Sequence, residues 1–573
     1  MFKGHPKGLF VAFFANMGER FSYYTMLAIF VLYLQARFGF SAGAAGDYYG
    51  GFLFGIYFLP ILGGIIADRW GYGRTITWGI LIAFLGKIIL TVPGYSQGFF
   101  SMQHELVIII IALFVISLGT GLFKGNLQAL VGKLYDYPEF APKRDNAFNI
   151  FYMGINIGAF LAPYAATTAV KSVLSRNGFL YENSMPHLAN LQAKAHPFLD
   201  QMIGTVQNHF SGTVHYMDKI EAFKSQMGFS GSVSEFASTY TSSLSVGYST
   251  AFAIAAVAMV ISLLVFVGFK KYYKHADYTV KQAKEKAERE GTEDTTVTMT
   301  KEEEKKRLVA LGLVFITVAF FWMAFHQNGF TLTIFARDFT VSKVSSFSYL
   351  FFDLRTFIPI LAAIVALIFM FRKSSSLKTK LISSAVFVAG GAIAYSFYTG
   401  FDETMNIEPE IFQSFNPIFI VVLTPVIVGF FNWLRVRGKE PSSPRKIGTG
   451  MFITALGFVV MMFSAFHLQS VTGLSPYWLI STYFILTVAE LFLSPIGISF
   501  VAKVAPPRFS GLAQGGWLGA TAIGNLLAGL VGKLWDIVEL WQFFLLLVVL
   551  TLLSGVFIFS IIRILENATK SSE

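Results

Sequence analysis

The sequence predicts an all-α integral membrane protein with about fourteen transmembrane helices. Three observations carry this. Hydrophobic residues make up 54% of the 573, and charged residues only 13%, roughly half the share of a soluble chain. The apolar residues gather into runs long enough to cross a bilayer, which takes about 20 residues. Lys and Arg concentrate in alternate loops, as the positive-inside rule requires.

Composition also sets exclusions. There is no cysteine, so disulfides and thiolate metal sites are out. A net charge of +11 would suit a nucleic-acid binder. Its placement in short loops at membrane edges fits orientation in a bilayer instead. The histidines are scattered, so no metal site is expected, and no nucleophile–base–acid set stands out. An enzyme is not expected.

The runs lie near 8–35, 46–70, 74–94, 105–134, 148–170, 249–270, 308–336, 346–371, 379–399, 416–435, 447–468, 475–503, 510–535 and 540–563. The first is too long and too charged for a signal peptide. Asp68 to Arg74, Lys143-Arg144, 270–307, SSSLKTK and RVRGKEPSSPRK form the basic loops. They are placed in the cytoplasm with both termini. The facing loops are poor in Lys and Arg, and FDETMNIEPE (401–410) is acidic. Residues 1–271 thus form a six-span bundle and 308–573 a larger one, joined by a charged linker over 272–307. The outer loop 172–248, with apolar spots at Phe198, Met202 and Phe223, is expected to hold a small, partly helical element.

Charges inside spans need a reason. The first run, VAFFANMGERFSYYTMLAIFVLYL, carries Glu19 and Arg20 side by side. A charge near the bilayer centre costs about 2.5–3.5 kcal/mol on insertion scales. Neighbours on a helix point about 100° apart, so each is expected to pair with another helix rather than with the other. Arg20 can offer a bidentate fork to a carboxylate, and Glu19 can bind and release a proton. Lys124 in the fourth run can snorkel or serve a site. Lys87 in the third is expected to snorkel or pack. Glu490 stands in the twelfth, with Ser494 and Pro495 behind it. Pro495 frees a carbonyl one turn earlier, a place for a transporter helix to bend. Asn156 and Asn416 fit either a ligand contact or helix–helix glue.

GERFSYY (18–24), FYMGINIGAF (151–160) and AELFLSPIG (489–497) resemble signatures of the proton-coupled oligopeptide transporter family, the peptide branch of the major facilitator superfamily. GGIIADRWGYGR (63–74) resembles the superfamily's loop motif between its second and third helices. GLFKGN (121–126), FFWMAFHQNG (320–329) and FQSFNPIF (412–419) resemble further family stretches. The resemblance spans nearly the whole membrane portion, in order. It implies the major facilitator fold, two six-helix bundles plus an extra helix pair near 346–399. It implies import of di- and tripeptides with protons, in a bacterial inner membrane, with no cofactor. Arg20 and Lys124 would hold the peptide C-terminus, and Glu490, Asn156 and Asn416 its amino end and backbone. Tyr23, Tyr24, Tyr57, Trp322 and Trp517 would line the pocket. Asp68, Arg69 and Arg74 would form a latch between conformations.

The sequence also departs from that family. Its motif reads E-x-x-E-R-F-x-Y-Y-G-M-R, but here Asn16 replaces the first acid and Leu27 the last base. His326 replaces the acid expected after F-W-x-x-F, the usual partner of Lys124. Two acids and one base are missing. The expectation is that neutral His326 accepts a hydrogen bond from Lys124 and acts as a gate, while Glu19 or Glu490 carries the proton. The extra helix pair falls between the seventh and eighth family helices, where Asp353 and Arg355 could mark an interface. Two alternatives remain open: a carrier of an anion or acidic peptide, and a peptide-binding sensor that does not transport.

Overall fold

The computed structural model describes residues 4–137, 139–182, 184–185, 216–279, 282, 299–372, 375–468, 473–506 and 509–570. Phe198, Met202 and most of the expected linker lie outside these residues.

Long apolar runs satisfy their backbone groups internally only as helices. Fourteen long helices follow among the described residues. The first half contains α1 (Lys7–Phe38), α2 (Ala42–Trp70), α3 (Tyr72–Tyr95), α4 (Met102–Lys133), α5 (Arg144–Arg176) and α6 (Val233–Gly268). The second contains α7 (Lys301–Phe325), α8 (Leu354–Phe371), α9 (Leu377–Tyr398), α10 (Phe415–Val436), α11 (Ser443–Leu468), α12 (Tyr477–Val504), α13 (Ser510–Gly532) and α14 (Leu540–Ser560). Thirteen are long and apolar enough to cross a membrane. The fourteenth, α1, has 32 residues, but its central Glu19, Arg20 and tyrosines dilute its hydropathy.

Local chemistry sets many helix starts. The side chains of Ser41 and Ser101 accept from the first free backbone N–H groups of α2 and α4. Ser232 with Glu235, and Thr300 with Glu303, form capping boxes on α6 and α7, the arrangement that satisfies two orphan donors at once. Asp353 caps α8 and pairs with Arg355 two residues on, at 2.6 Å. The expected interface marker is therefore a local cap. The pair α8–α9 packs on itself at the periphery. Its flanks carry a two-stranded antiparallel ribbon, Lys343–Ser345 against Thr404–Asn406, which an all-helical expectation had no place for.

Helix interruptions do not fall where proline alone would put them. Pro495 sits inside an unbroken α12. The break falls at the end of α7, where His326–Gly329 forms a 3-10 turn before the chain resumes as a helix over Thr331–Phe339. The freed carbonyls find tyrosines. Tyr49 donates to the His326 carbonyl at 3.4 Å, and Tyr483 to the Asn328 carbonyl at 2.6 Å.

The halves meet along α2–α13 and α5–α10. They are clamped at the end that carries the α1–α2 loop. Gln413 donates to the Ala28 carbonyl at 3.1 Å, Arg337 to Gln35 at 2.8 Å, and Ser414 to the Phe160 carbonyl at 3.0 Å. Thr167 and Tyr181 donate to one oxygen of Glu410 at 2.9 and 3.0 Å. Lys171 pairs with Glu408, and Lys533 with Asp47 at 2.9 Å. At the opposite end the ion pairs of Glu440 with Arg435 and Lys446, and of Glu566 with Arg445, stay within the second half.

The clamped seam depends on glycine. A Cβ at Gly529 of α13 would lie 2.4 Å from the Gly46 carbonyl oxygen of α2, and one at Gly50 would lie 2.9 Å from the Asn525 carbonyl oxygen. Neither backbone can yield without separating the helices. Gly529→Leu is therefore expected to prop this end open. The chain lacks cysteine, so the test is clean. A cysteine placed at Ala45, fully buried here, should react several-fold faster with a membrane-impermeant maleimide in the Gly529→Leu background than without it.

Candidate functional site

The site lies between the halves, and α1 supplies its charged core. Glu19 and Arg20 pair with each other: Arg20 Nε and Nη2 meet the two carboxylate oxygens at 2.5 and 2.7 Å. The expectation of separate partners on other helices is thus corrected. Their Cα–Cβ bonds diverge, but long side chains close the gap, and a dry interior rewards the bidentate geometry. Both are buried, Glu19 at 0% exposure and Arg20 at 4%. The guanidinium also lies over the Tyr23 ring, 4.9 Å from its centroid. Tyr23 in turn packs edge-on against Tyr24.

Lys124 comes from α4 and is half-buried. Its Nζ sits 3.5 Å from the centroid of the Tyr57 ring. His326 approaches the same ring from the other half, with centroids 6.1 Å apart and the planes steeply inclined. Lys124 and His326 thus share the Tyr57 ring, and among the described residues the expected hydrogen bond between them is not made. The His326 Nδ1 instead lies 3.1 Å from the Trp322 carbonyl of its own helix, and its ring packs on the Trp322 indole, centroids 5.1 Å apart.

The second half contributes an acid. Glu490 of α12 accepts from Asn416 of α10 at 2.9 Å, and Asn416 also donates to Thr487 at 3.0 Å. Among the described residues no Lys or Arg forms a salt bridge with Glu490. Tyr24 and Tyr57 both lie within electrostatic reach of Arg20 on one side and Glu490 on the other. Both tyrosines thus feel a cation of the first half and an acid of the second.

On α5, Tyr152, Asn156 and Phe160 share a face at four-residue spacing. Phe160 packs against Phe357 of the second half, on the clamped side. Asn156 is 9% exposed, and its amide donates to the Tyr152 carbonyl at 3.0 Å. Tyr152 is 42% exposed, so the face opens away from the clamp. Trp517 is less a lining residue than a wedge. It is 4% exposed, and its indole fills the notch left by Gly497, where a Cβ would lie 2.2 Å away.

Asp68, Arg69 and Arg74 are not brought to the site. They lie exposed at the unclamped end, where Asp68 accepts from the Tyr72 hydroxyl at 2.7 Å. Lys87 does not snorkel: it is fully buried in α3, and its Nζ has no hydrogen-bond partner. Sequence reasoning passed over Tyr49, Tyr483 and Gln413, because nothing in a tyrosine or glutamine within an apolar run reveals that a helix breaks nearby.

Two packed helical bundles, clamped at one end, with unlike charges facing each other across aromatic walls, define a membrane transporter rather than an enzyme. Sequence comparison agrees and sharpens this. The profile described as the POT family matches residues 73–181 and 379–540. Over these two segments the chain is similar to the POT family. It is 27% identical over 566 residues to the uncharacterized transporter YclF of Bacillus subtilis, covering 93% of this chain and 89% of that one. It is 27% identical to the peptide transporter YePEPT of Yersinia enterocolitica, covering 93% and 88%. With the di-/tripeptide transporter of Lactococcus lactis subsp. cremoris it shares 26% identity, covering 90% and 87%. Among solved structures, the fold matches the peptide transporter POT in complex with sulfate at TM-score 0.64 and 22% identity, covering 99% and 96%.

The cation held over Tyr57 yields a direct test. A cation over an aromatic face is worth about 0.5–2 kcal/mol. Tyr57→Phe keeps the ring and is expected to leave thermal stability in detergent nearly unchanged. Tyr57→Leu is expected to lower it by about 1 kcal/mol, and a Lys124→Met background should erase most of that difference.

Proposed function

We propose that this chain imports di- and tripeptides together with protons by exposing the inter-bundle site to each side of the membrane in turn. One observation carries the reading. The first half offers Arg20 and Lys124 to the site, and the second offers Glu490 with Asn416, with Tyr24 and Tyr57 between. A zwitterion with a carboxylate at one end and an ammonium at the other fits that polarity. The named peptide transporters among its relatives support the same substrate class.

In this reading Arg20 and Lys124 take the peptide carboxylate. Glu490 takes the amino group, and Asn156 and Asn416 the backbone. Tyr23, Tyr24, Tyr57, Trp322 and Trp517 accept side chains without strong selection. Residues 1–271 and 308–573 move as the two working units. The membrane is a bacterial inner membrane with both termini in the cytoplasm, and the clamped end faces out. Asp68, Arg69 and Arg74 would latch the opposite end when the site faces outward. Proton and peptide must jointly favour one arrangement over the other for coupling to occur. Glu19 or Glu490 carries the proton, and His326, seated against the ring that holds Lys124, acts as the gate element.

The excess of cations in the first half favours one competitor, a carrier of an anion or acidic peptide. Uptake into proteoliposomes separates the two. With an inward proton gradient and a negative interior, labelled dialanine is expected to accumulate above the outside level, and an uncoupler should abolish this. Saturable uptake of labelled nitrate or of a glutamyl dipeptide that excess dialanine does not inhibit would favour the competitor. Two variants locate the parts. Glu490→Gln is expected to weaken dialanine binding about tenfold or more while sparing N-acetylated dialanine, as losing a charged hydrogen bond costs about 1.5–3 kcal/mol. His326→Ala is expected to alter the pH profile of uptake, and an unchanged profile would remove His326 from the mechanism.

A further inference from the structure

Lys87 has no part in the reading above, and its surroundings are unusual. It is 0% exposed, and among the described residues its Nζ has no hydrogen-bond partner. An uncompensated charge inside a membrane protein is expensive enough to mark a functional group. Its helix, α3, packs on α4 and α6. Gly94 of α3 abuts Ser249 of α6, and the Ser22 hydroxyl of α1 donates to the Ala255 carbonyl of α6. Lys87 lies two helical turns from Gly94, on the same face. That brings it to the level where α1 crosses α6. The charged groups within its electrostatic reach are Glu19 and Arg20.

Glu19 holds Arg20 by both oxygens. A guanidinium already neutralised in this way has little net charge to offer a ligand. Lys87 changes that. A second positive charge, equally dry, compensates Glu19 and leaves the charge of Arg20 available. Lys124 also lies within reach of the pair, but it is only half-buried and its ammonium rests on the Tyr57 ring.

We propose that Lys87 is a specificity-determining positioning residue: it is the counter-charge of Glu19, and it makes the buried Glu19–Arg20 pair receptive to a ligand carboxylate. The inference rests on the peptide reading, in which that carboxylate meets Arg20.

The test is ligand binding to purified full-length protein, comparing dialanine with dialanine amide, which lacks the carboxylate charge. In Lys87→Met, dialanine affinity should fall about tenfold or more, since charges at such range interact by more than about 1.4 kcal/mol in a protein interior. Affinity for the amide should barely change. Lys87→Arg should restore dialanine binding. The double variant Glu19→Gln with Lys87→Met removes both charges and should restore it too, which no loss of packing would do. Equal loss for both ligands, no loss, or failure of the double variant to recover would overturn the inference while leaving the peptide reading intact. A wild type that binds neither ligand would remove both.

Discussion

The Glu19–Arg20 pair is the constraint around which the rest of the site is arranged. Two charges adjacent on one membrane helix must be satisfied without water. They do so first through each other, in a bidentate contact, and then through the Tyr23 ring beneath the guanidinium. This choice has costs elsewhere. A pair satisfied by itself has little net charge, and the chain places two further cations, Lys87 and Lys124, within electrostatic reach of it, Lys87 the more deeply buried. The aromatic walls follow from the same need. Tyr57 supports a cation on one face and meets His326 at its edge, so one ring serves both halves.

Much of the fold was legible because the bilayer imposes it. Run length gave the helices, and the Lys/Arg alternation gave a consistent threading. The caps at Ser232, Thr300 and Asp353 went unread, although all three are cap-forming residue types, and Asp353 was expected at an interface. The site was legible only where rare residues stand out against an apolar background: Glu19, Arg20, Lys124 and Glu490. The family resemblance, more than any spacing, singled out Asn156, Asn416 and the five aromatics. What could not be read was pairing. Angular separation on a helix argued against a Glu19–Arg20 contact, because it describes where Cβ points and not where a long side chain ends. Lys87 was expected to snorkel or to pack, and only its depth, which sequence does not give, removes the first of these. The missing acids at Asn16 and His326 suggested a simple exchange of partners for Lys124, and the structure sets both Lys124 and His326 against one tyrosine ring instead.

The clamp and the seam divide the work of holding the halves together. The seam of α2 and α13 is backbone against backbone at Gly46, Gly50 and Gly529, so it depends on shape alone. The clamp is polar, from Gln413, Ser414, Glu408 and Glu410 to α1 and α5. Shape complementarity makes the closed arrangement specific. Polar contacts of this kind contribute little net free energy, because water can replace each of them.

The bend after α7 draws its two tyrosine donors from opposite halves, and that asymmetry matters. Asn328 keeps its Tyr483 partner however the halves move, because both belong to the second half. The His326 carbonyl, which opens the 3-10 turn, also accepts from Tyr49 of the first. One short turn at the end of α7 is thereby tied to both halves, so any shift of α2 against the second half is felt in the backbone beside the His326 ring.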